Sequence, residues 1–236
     1  MLELLKEIIL DFQNEVLDAS VKRNLQYERV ERKAFVCIGV RRAGKSTLLY
    51  QIISDLKLKG VEKENILYIN FFDDRLTEVK REKLSLITEA YYSLFPEKKG
   101  TETVYCFFDE IQEAANWEAF VDRILRIEKC EVFLTGSSSK MLSKELATQM
   151  RGRSIAWELY PFSFREFCDY KQVDFRKMTS KNRLILSNCF DEYFKKGGFP
   201  EVRNVSEKLR PDVLRNTTVM ITPPRAYDSK LAVAGP

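Results

Sequence analysis

Histidine is absent from the 236 residues of this chain. Its absence excludes Ser-His-Asp and Cys-His catalysis, and it excludes any metal site with histidine ligands. The chain also has no C-x-x-C spacing among its five cysteines. Three of the five lie in apolar runs typical of core strands, so we expect packed, reduced cysteines in a reducing compartment.

Long apolar runs and a strong charge excess are lacking as well. No run approaches the roughly 20 apolar residues of a membrane-spanning helix, and the first seven residues carry acids without the basic stretch that opens a signal peptide. We therefore expect a cytoplasmic protein with no membrane contact. The formal net charge of +4, from 39 basic and 35 acidic side chains, gives DNA binding little support.

The sequence does contain a phosphate-binding pattern. The stretch from Gly39 to Thr47 reads G-V-R-R-A-G-K-S-T and fits G-x-x-x-x-G-K-[ST]. Such a loop wraps a triphosphate with backbone N–H groups, so it has to bend where a Cβ would clash, and Gly39 and Gly44 permit that bend. Lys45 would place its ammonium on the β- and γ-phosphates, and Ser46 would ligate Mg²⁺. The candidate nucleotide-binding residues are Gly39, Arg41, Arg42, Ala43, Gly44, Lys45, Ser46 and Thr47.

The residues on either side of this pattern support the same interpretation. Residues 34–38 are a short apolar run, which predicts a buried parallel strand. Residues 48–53 have apolar spacing compatible with a helix and contain no Pro or Gly. A helix that begins near Gly44 would point the positive end of its dipole at the phosphates. Strand, glycine loop and helix is the order that the motif requires.

An acidic pair ends another apolar run, residues 103–108. Asp109 and Glu110 would leave this strand at the carboxyl edge of the sheet, beside the phosphate-binding loop. Asp109 would hold Mg²⁺ directly or through water, and Glu110 would act as the general base for an attacking water. Asp73 and Asp74, in the turn after the second strand, are the next candidates for that base.

Small hydroxyl side chains follow the next predicted strand, residues 130–135. Thr135 and Ser137 could sense a γ-phosphate or position the water, and both are candidate catalytic residues. Ser138 or Ser139 could cap a helix over 140–149, which is the structural explanation for the same run of serines.

Hydrophobic periodicity predicts the remaining elements. The charged stretch 20–33 is either a connecting segment or a contact with adenine through Tyr27. Residues 161–167 predict a turn into a short helix. Strands are predicted over 65–71 and 154–159, and helices over 2–18, 76–95, 116–127 with Asn116 as N-cap, 181–196, and weakly from 206 to near 219.

Together these motifs resemble a known family. Over residues of about 30–205 the chain resembles the AAA-superfamily P-loop ATPases of archaea and bacteria that usually carry a C-terminal domain of unknown function. The residues that carry the resemblance are the Gly39–Thr47 loop, Asp109-Glu110, Thr135–Ser138, Gly152-Arg153, Pro161–Phe167 and Gly197–Pro200.

The resemblance implies a three-layer α/β fold with a parallel sheet in the order 5-1-4-3-2 and a small helical lid after the fifth strand. It also implies that Lys45 and Ser46 bind the phosphates and Mg²⁺ of ATP, and that Asp109 and Glu110 are the Walker B pair. The absence of a guanine-reading Asn/Thr-Lys-x-Asp motif favours ATP as well.

In such ATPases an arginine just before the fifth strand can act on the nucleotide of a neighbouring copy, which implies a homo-oligomer. Arg153 fits that place best, and Arg151 is the second choice. The structural alternative for Arg153 is a surface ion pair with an acid such as Glu158.

The end of the chain departs from this family. The relatives continue past Gly197–Pro200 with a second domain, whereas this sequence stops within about 35 residues in a Pro-rich tail, so we expect a shortened chain. The expected division is an N-terminal lead-in over 1–33, an ATPase core over 34–160, a helical lid region over 161–220 and a disordered tail over 221–236.

The leading functional hypothesis is a Mg²⁺-dependent ATPase module that switches or moves an unknown protein partner. The first alternative is a nucleotide-dependent sensor that hydrolyses little ATP. The second is a small-molecule kinase, which would share the phosphate-binding loop. Glu110 beside Asp109 argues against the kinase, because the second acid suits the activation of water better than that of a substrate hydroxyl.

Overall fold

Five parallel strands form the central sheet of the protein. The computed structural model describes residues 1–17, 21–137, 150, 152–174, 176, 179–201, 205–210 and 212. The strands are β1 Ala34–Gly39, β2 Ile66–Asn70, β3 Val104–Asp109, β4 Cys130–Ser137 and β5 Ser154–Glu158. Their order is β2-β3-β4-β1-β5, and each neighbouring pair is parallel. The predicted order 5-1-4-3-2 is therefore confirmed.

Helices flank this sheet. Among the described helices, none is long and apolar enough to cross a membrane. Their bounds are α1 Leu2–Asn14, α2 Lys45–Leu58, α3 Thr77–Glu82, α4 Ser85–Leu94, α5 Trp117–Ile127, α6 Phe164–Tyr170 and α7 Ser180–Lys196.

The sheet is covered on both faces, which is why its strands are almost continuously apolar. Along β1, Val36 and Ile38 face the cluster formed with α1, α3, α4 and α5. Phe35 and Cys37 face the opposite cluster, which is dominated by α2. Alternation of side chains between the two faces of a strand therefore produces the predicted three layers. All five cysteines are free thiols, and four of them are buried.

The prediction of a single helix over 76–95 is wrong. The chain forms α3 and α4 there, separated by Lys83 and Leu84. Val79 and Leu84 are both buried, yet residues five apart would lie about 140° apart around one helix. The break between α3 and α4 lets both side chains face the core.

Asn116 occupies the N-cap position of α5 but does not cap it as predicted. Its backbone is left-handed, with φ of 54°, and its side chain makes no capping hydrogen bond. A capping side chain requires an extended backbone at this position, so the left-handed conformation accounts for the difference.

The short helix and the long helix predicted after β5 are α6 and α7. Ser163 and Glu166 form a reciprocal capping box at the start of α6, and Phe167 packs edge-on against Tyr193 of α7 at a ring separation of 5.3 Å. On the outer side of α7, Leu184 and Phe194 are 65% and 81% exposed.

Several sequence predictions fall outside the described residues. They are the caps at Ser138 or Ser139 with the helix over 140–149, the alternative finger Arg151, most of the weak helix toward 219, and the tail over 221–236.

Candidate active site

The phosphate-binding pattern forms the turn between β1 and α2. Gly39 is the last residue of β1, and a Cβ there would collide with the carbonyl oxygen of Leu159. Gly44 has a φ of +94°, in the left-handed region that favours glycine. Both glycines are therefore required by the backbone, Gly39 by a close approach and Gly44 by its conformation. Arg42 also has a positive φ, of 66°.

Lys45 begins α2 and is buried. Its Nζ lies 3.3 Å from both the Gly39 and Val40 carbonyl oxygens, to which it donates hydrogen bonds. The same nitrogen is 3.5 Å from Oε1 of Glu110. The loop carbonyls therefore hold the ammonium next to the carboxylate of Glu110, which follows β3.

Asp109, the last residue of β3, is buried with both carboxylate oxygens hydrogen-bonded. The Thr135 hydroxyl donates to Oδ1, and the Tyr68 hydroxyl donates to Oδ2 at 2.9 Å. Burial, and then the negative charge of Asp109, raise the pKa of Tyr68 above its usual value, which keeps that phenol a donor. These two contacts fix the orientation of the Asp109 side chain.

Glu110 turns sharply out of β3, with φ of 54° and ψ of 45°. Its backbone N–H donates to the Thr135 hydroxyl at 2.9 Å. Its Oε2 accepts a hydrogen bond of 2.6 Å from the Gln112 side chain. The turn thus carries the carboxylate from the buried strand to the side of Lys45.

Thr135 and Ser137 lie near the carboxyl end of β4. Thr135 is fully buried, and its hydroxyl is engaged with Asp109 and Glu110. Its contacts therefore position the two acids. Ser137 is the register partner of Gly39 in the neighbouring strand, so it lies beside the start of the phosphate-binding loop.

A cavity of about 450 Å³ lies over the loop. A larger cleft, of about 630 Å³, is lined by residues 28–33 and by residues at the amino-terminal ends of the strands. It contains no residue of the phosphate-binding loop. Arg41 is exposed, and Arg42 forms an ion pair of 2.9 Å with Glu201. The smaller cavity is lined by Val21, Arg23, Arg42, Gly44, Lys45, Ser46, Thr47, Glu110, Phe162, Pro200 and Glu201.

The residues present suit a hydrated Mg²⁺ ion. Ser46 offers a hydroxyl at the cavity wall, and Asp109 offers a carboxylate whose orientation is fixed by Tyr68 and Thr135. Oxygen ligands of this kind are the donors that Mg²⁺ prefers. Asp109 does not line the cavity, so it would hold such an ion through water.

Arg23 and Glu166 are site residues that the sequence reasoning missed. Their side chains are 2% and 6% exposed and form an ion pair of 2.9 Å. Arg23 also donates to the Ala43 carbonyl in the phosphate-binding loop and to the Tyr160 carbonyl after β5. The Ser-x-x-Glu spacing of the α6 capping box was a signal for Glu166, whereas Arg23 stands in a charged stretch without a pattern.

Tyr27 does not reach the cavity. Its ring packs against Phe35, 4.8 Å between centroids, near the amino end of β1 and therefore at the far end of that strand from Gly39. The lead-in segment does contact the cavity, but through Val21 and Arg23.

Arg153 lies at the amino-terminal ends of the strands, whereas Lys45 lies at their carboxyl-terminal ends. Its carbonyl accepts a hydrogen bond of 2.8 Å from the N–H of Ala34, the first residue of β1. Its Nη1 is 3.0 Å from Oδ1 of Asp122 on α5. The ion pair expected as the structural alternative is therefore present, with Asp122 as the acid in place of Glu158, whose carboxylate accepts a hydrogen bond from the Tyr160 hydroxyl.

The fold and the loop define a P-loop ATPase domain of the AAA superfamily. A family model described as "AAA domain" matches residues 31–168, more than half of the chain. The chain therefore belongs to this AAA-domain family.

The relatives are longer proteins. An uncharacterised protein of Methanocaldococcus jannaschii is 36% identical over 215 residues, which cover 90% of this chain and 46% of the relative. An uncharacterised protein of Haemophilus influenzae is 37% identical over 181 residues, which cover 76% of this chain and 42% of the relative. The chain thus spans less than half the length of these curated relatives.

Solved structures with a similar arrangement include two proteins of low sequence identity. AMPPCP-bound DnaA from Aquifex aeolicus matches with a TM-score of 0.45 and 12% identity, over 93% of this chain and 65% of that one. PCH-2 of C. elegans matches with a TM-score of 0.42 and 17% identity, over 70% of this chain and 45% of that one.

Proposed function

We propose that this domain binds ATP with Mg²⁺ and hydrolyses it. The observation that carries the proposal is the convergence of Lys45 and Glu110, 3.5 Å apart, on the cavity over the glycine loop. A cation and a carboxylate at this separation supply phosphate binding and proton removal in one place. The described residues provide this pairing from two distant parts of the chain.

The cavity is lined by both polar and apolar side chains, which suits a nucleotide. Lys45, Ser46 and Thr47 belong to the first turn of α2, where the loop N–H groups and the start of the helix favour phosphate. The apolar side chains of the lining are Val21, Phe162 and Pro200. We assign these three side chains to the adenine, since a base needs apolar contact on its faces.

Glu110 would take the proton of the attacking water. Gln112 holds one carboxylate oxygen, which leaves Oε1 toward Lys45. Mg²⁺, held by Ser46 and through water by Asp109, would supply charge neutralisation on the phosphates. Thr135 would position both acids, and Ser137, the register partner of Gly39, would contact phosphate or water.

Hydrolysis would act on a partner through the lid helices α6 and α7. These helices reach the cavity through Phe162 and the Pro200 turn, so a change in the nucleotide would alter the surfaces on which they pack. Arg153, at the far edge of the sheet, could serve only the site of a neighbouring copy, so its finger role requires a homo-oligomer. We place this activity in the cytoplasm, with a protein as the partner acted on.

The test is a binding and phosphate-release assay on the purified chain. We expect ATP binding and release of phosphate with Mg²⁺, and loss of the release when EDTA removes the metal. Binding without release would favour the sensor alternative, and release only in the presence of a small-molecule acceptor would favour the kinase. An arm with added DNA tests whether nucleic acid changes the rate.

A further inference from the structure

The Arg23 guanidinium joins the phosphate-binding loop to the segment after β5. Three of its nitrogens are engaged: Nε with Glu166, Nη1 with the Ala43 carbonyl and Nη2 with the Tyr160 carbonyl. Its centre lies 5.0 Å from the centroid of the Phe162 ring. A planar fork of donors can satisfy three acceptors at once, which the single ammonium of a lysine at this position could not do in the same geometry.

The contact with Ala43 has a consequence for phosphate binding. In a trans peptide the carbonyl and the following N–H point in opposite directions. Because Arg23 holds the Ala43 carbonyl, it fixes the orientation of the Ala43–Gly44 peptide, and the Gly44 N–H points away from the guanidinium. Gly44 lines the cavity next to Lys45, and N–H groups of successive loop residues are what binds an anion in such a turn.

The other end of the guanidinium ties this arrangement to the lid. Glu166 also accepts hydrogen bonds from the Asn24 and Ser163 N–H groups, both at 2.8 Å, so its position depends on the capping turn of α6. Phe162, beneath the guanidinium, donates its N–H to the Gly198 carbonyl and accepts from the Tyr193 hydroxyl of α7, both at 2.8 Å. A displacement of either lid helix would therefore displace Arg23.

We propose that Arg23 is a positioning residue of the phosphate-binding loop and that Glu166 makes its placement depend on the lid. This inference rests on the proposed nucleotide binding. It adds that Arg23 couples the position of the lid helices to the conformation of the phosphate-binding loop. When the lid helices shift, Arg23 releases the Ala43 carbonyl and the Gly44 N–H is no longer held for phosphate.

The experiment compares the affinities of two ligands for wild type and Arg23→Lys by calorimetry. ATP reports on all contacts of the proposed nucleotide site, and inorganic tripolyphosphate reports on the phosphate contacts alone. We expect Arg23→Lys to weaken both ligands by about tenfold, as for the loss of one charge-assisted hydrogen bond. The control is Arg29→Lys, which changes an arginine paired with Glu131 at the other end of the sheet and should leave both affinities unchanged.

A second variant covers the case in which Arg23→Lys does not fold. Glu166→Gln keeps the shape of the capping turn and removes the charge that anchors the guanidinium, so we expect about a threefold loss for both ligands. Circular dichroism shows which variants are folded at the assay temperature.

The outcomes separate this inference from the proposed function. Folded variants with wild-type affinity for tripolyphosphate would overturn the positioning role, even if their melting temperature falls or only ATP binding weakens. A wild-type chain that binds neither ligand would overturn the proposed function and this inference with it. Equal loss for both ligands, with wild-type values in Arg29→Lys, is the result that supports it.

Discussion

Lys45 is a charged side chain that the fold buries, and its neighbours explain why this is tolerated. Charged groups are seldom buried without partners. Two loop carbonyls accept its hydrogen bonds, and Glu110 supplies the opposite charge. The ammonium is therefore held at the cavity by the fold, which would reduce the cost of ordering this side chain in the proposed binding of phosphate.

Replacing Lys45 with alanine is expected to abolish tight ATP binding. The ammonium would neutralise phosphate charge, and charge-assisted contacts contribute about 1.5–3 kcal/mol each. Titration calorimetry measures the change, and Lys59→Ala, at an exposed lysine just after α2, is the matched control. Wild-type ATP affinity in Lys45→Ala would contradict the assignment of the loop.

Local pattern determined which site residues could be predicted. Gly39, Gly44 and Lys45 stand within seven residues and form a motif with a known physical requirement. Arg23 and Glu166 are 143 positions apart, so their ion pair has no local signature. Tyr68 and Thr135 act on Asp109 from neighbouring strands, and only the strand order brings those hydroxyls together.

At the scale of elements, α6 is attached to the rest of the domain through a charged group. Burial alone would raise the pKa of Glu166, but the hydrogen bonds from Arg23, Asn24 and Ser163 outweigh it and hold the pKa below its usual value. A carboxyl whose pKa is lowered in the folded state stabilises the protein at any pH above its unfolded-state pKa of about 4.3. That contribution to stability is lost as the pH falls through the folded-state pKa.

Acidification is therefore expected to remove the difference in thermal stability between wild type and Glu166→Gln. The wild-type melting temperature should exceed that of the variant at pH 7, and the gap should narrow below about pH 4.3. Thermal unfolding followed by circular dichroism from pH 7 to pH 3 measures it, with Glu89→Gln, at an exposed glutamate of α4, as the control. A gap that stays constant down to pH 3 would show that the Glu166 charge does not stabilise the fold.

Strands were predicted more reliably than helix boundaries. Each of the five strands is an apolar run ended by a polar or glycine residue, and every one lies within one or two residues of its predicted bounds. The break between α3 and α4 was missed because it is caused by the need to bury both Val79 and Leu84, which is a property of the core. The left-handed backbone of Asn116 is likewise set by the turn after β3.

At the scale of the whole molecule, Arg153 raises the question of assembly. Its ion pair with Asp122 holds it at the sheet edge opposite Lys45, where it could meet only the site of another copy. A guanidinium presents a planar fork of donors suited to the charge on a transferring phosphoryl group. Whether neighbouring chains share a site in this way depends on their association.

If Arg153 acts on a neighbour, specific activity should rise with protein concentration. A mixture of Arg153→Ala and Glu110→Gln chains should then regain hydrolysis that neither has alone, because each chain supplies the group that the other lacks. Phosphate release from the mixture and from the separate variants measures this. Activity independent of concentration, together with no recovery in the mixture, would assign Arg153 to the Asp122 ion pair alone.

The most direct test of the account is phosphate release from ATP with Mg²⁺ by wild type and Glu110→Gln, with bound ATP measured in the same samples. The amide keeps the shape of the side chain but cannot accept the proton of the attacking water. We predict unchanged ATP binding and a rate of release about 10²–10⁴-fold lower in the variant. Release within about twofold of wild type would place the general base elsewhere, and a wild-type chain that binds ATP without releasing phosphate would contradict the proposed hydrolysis.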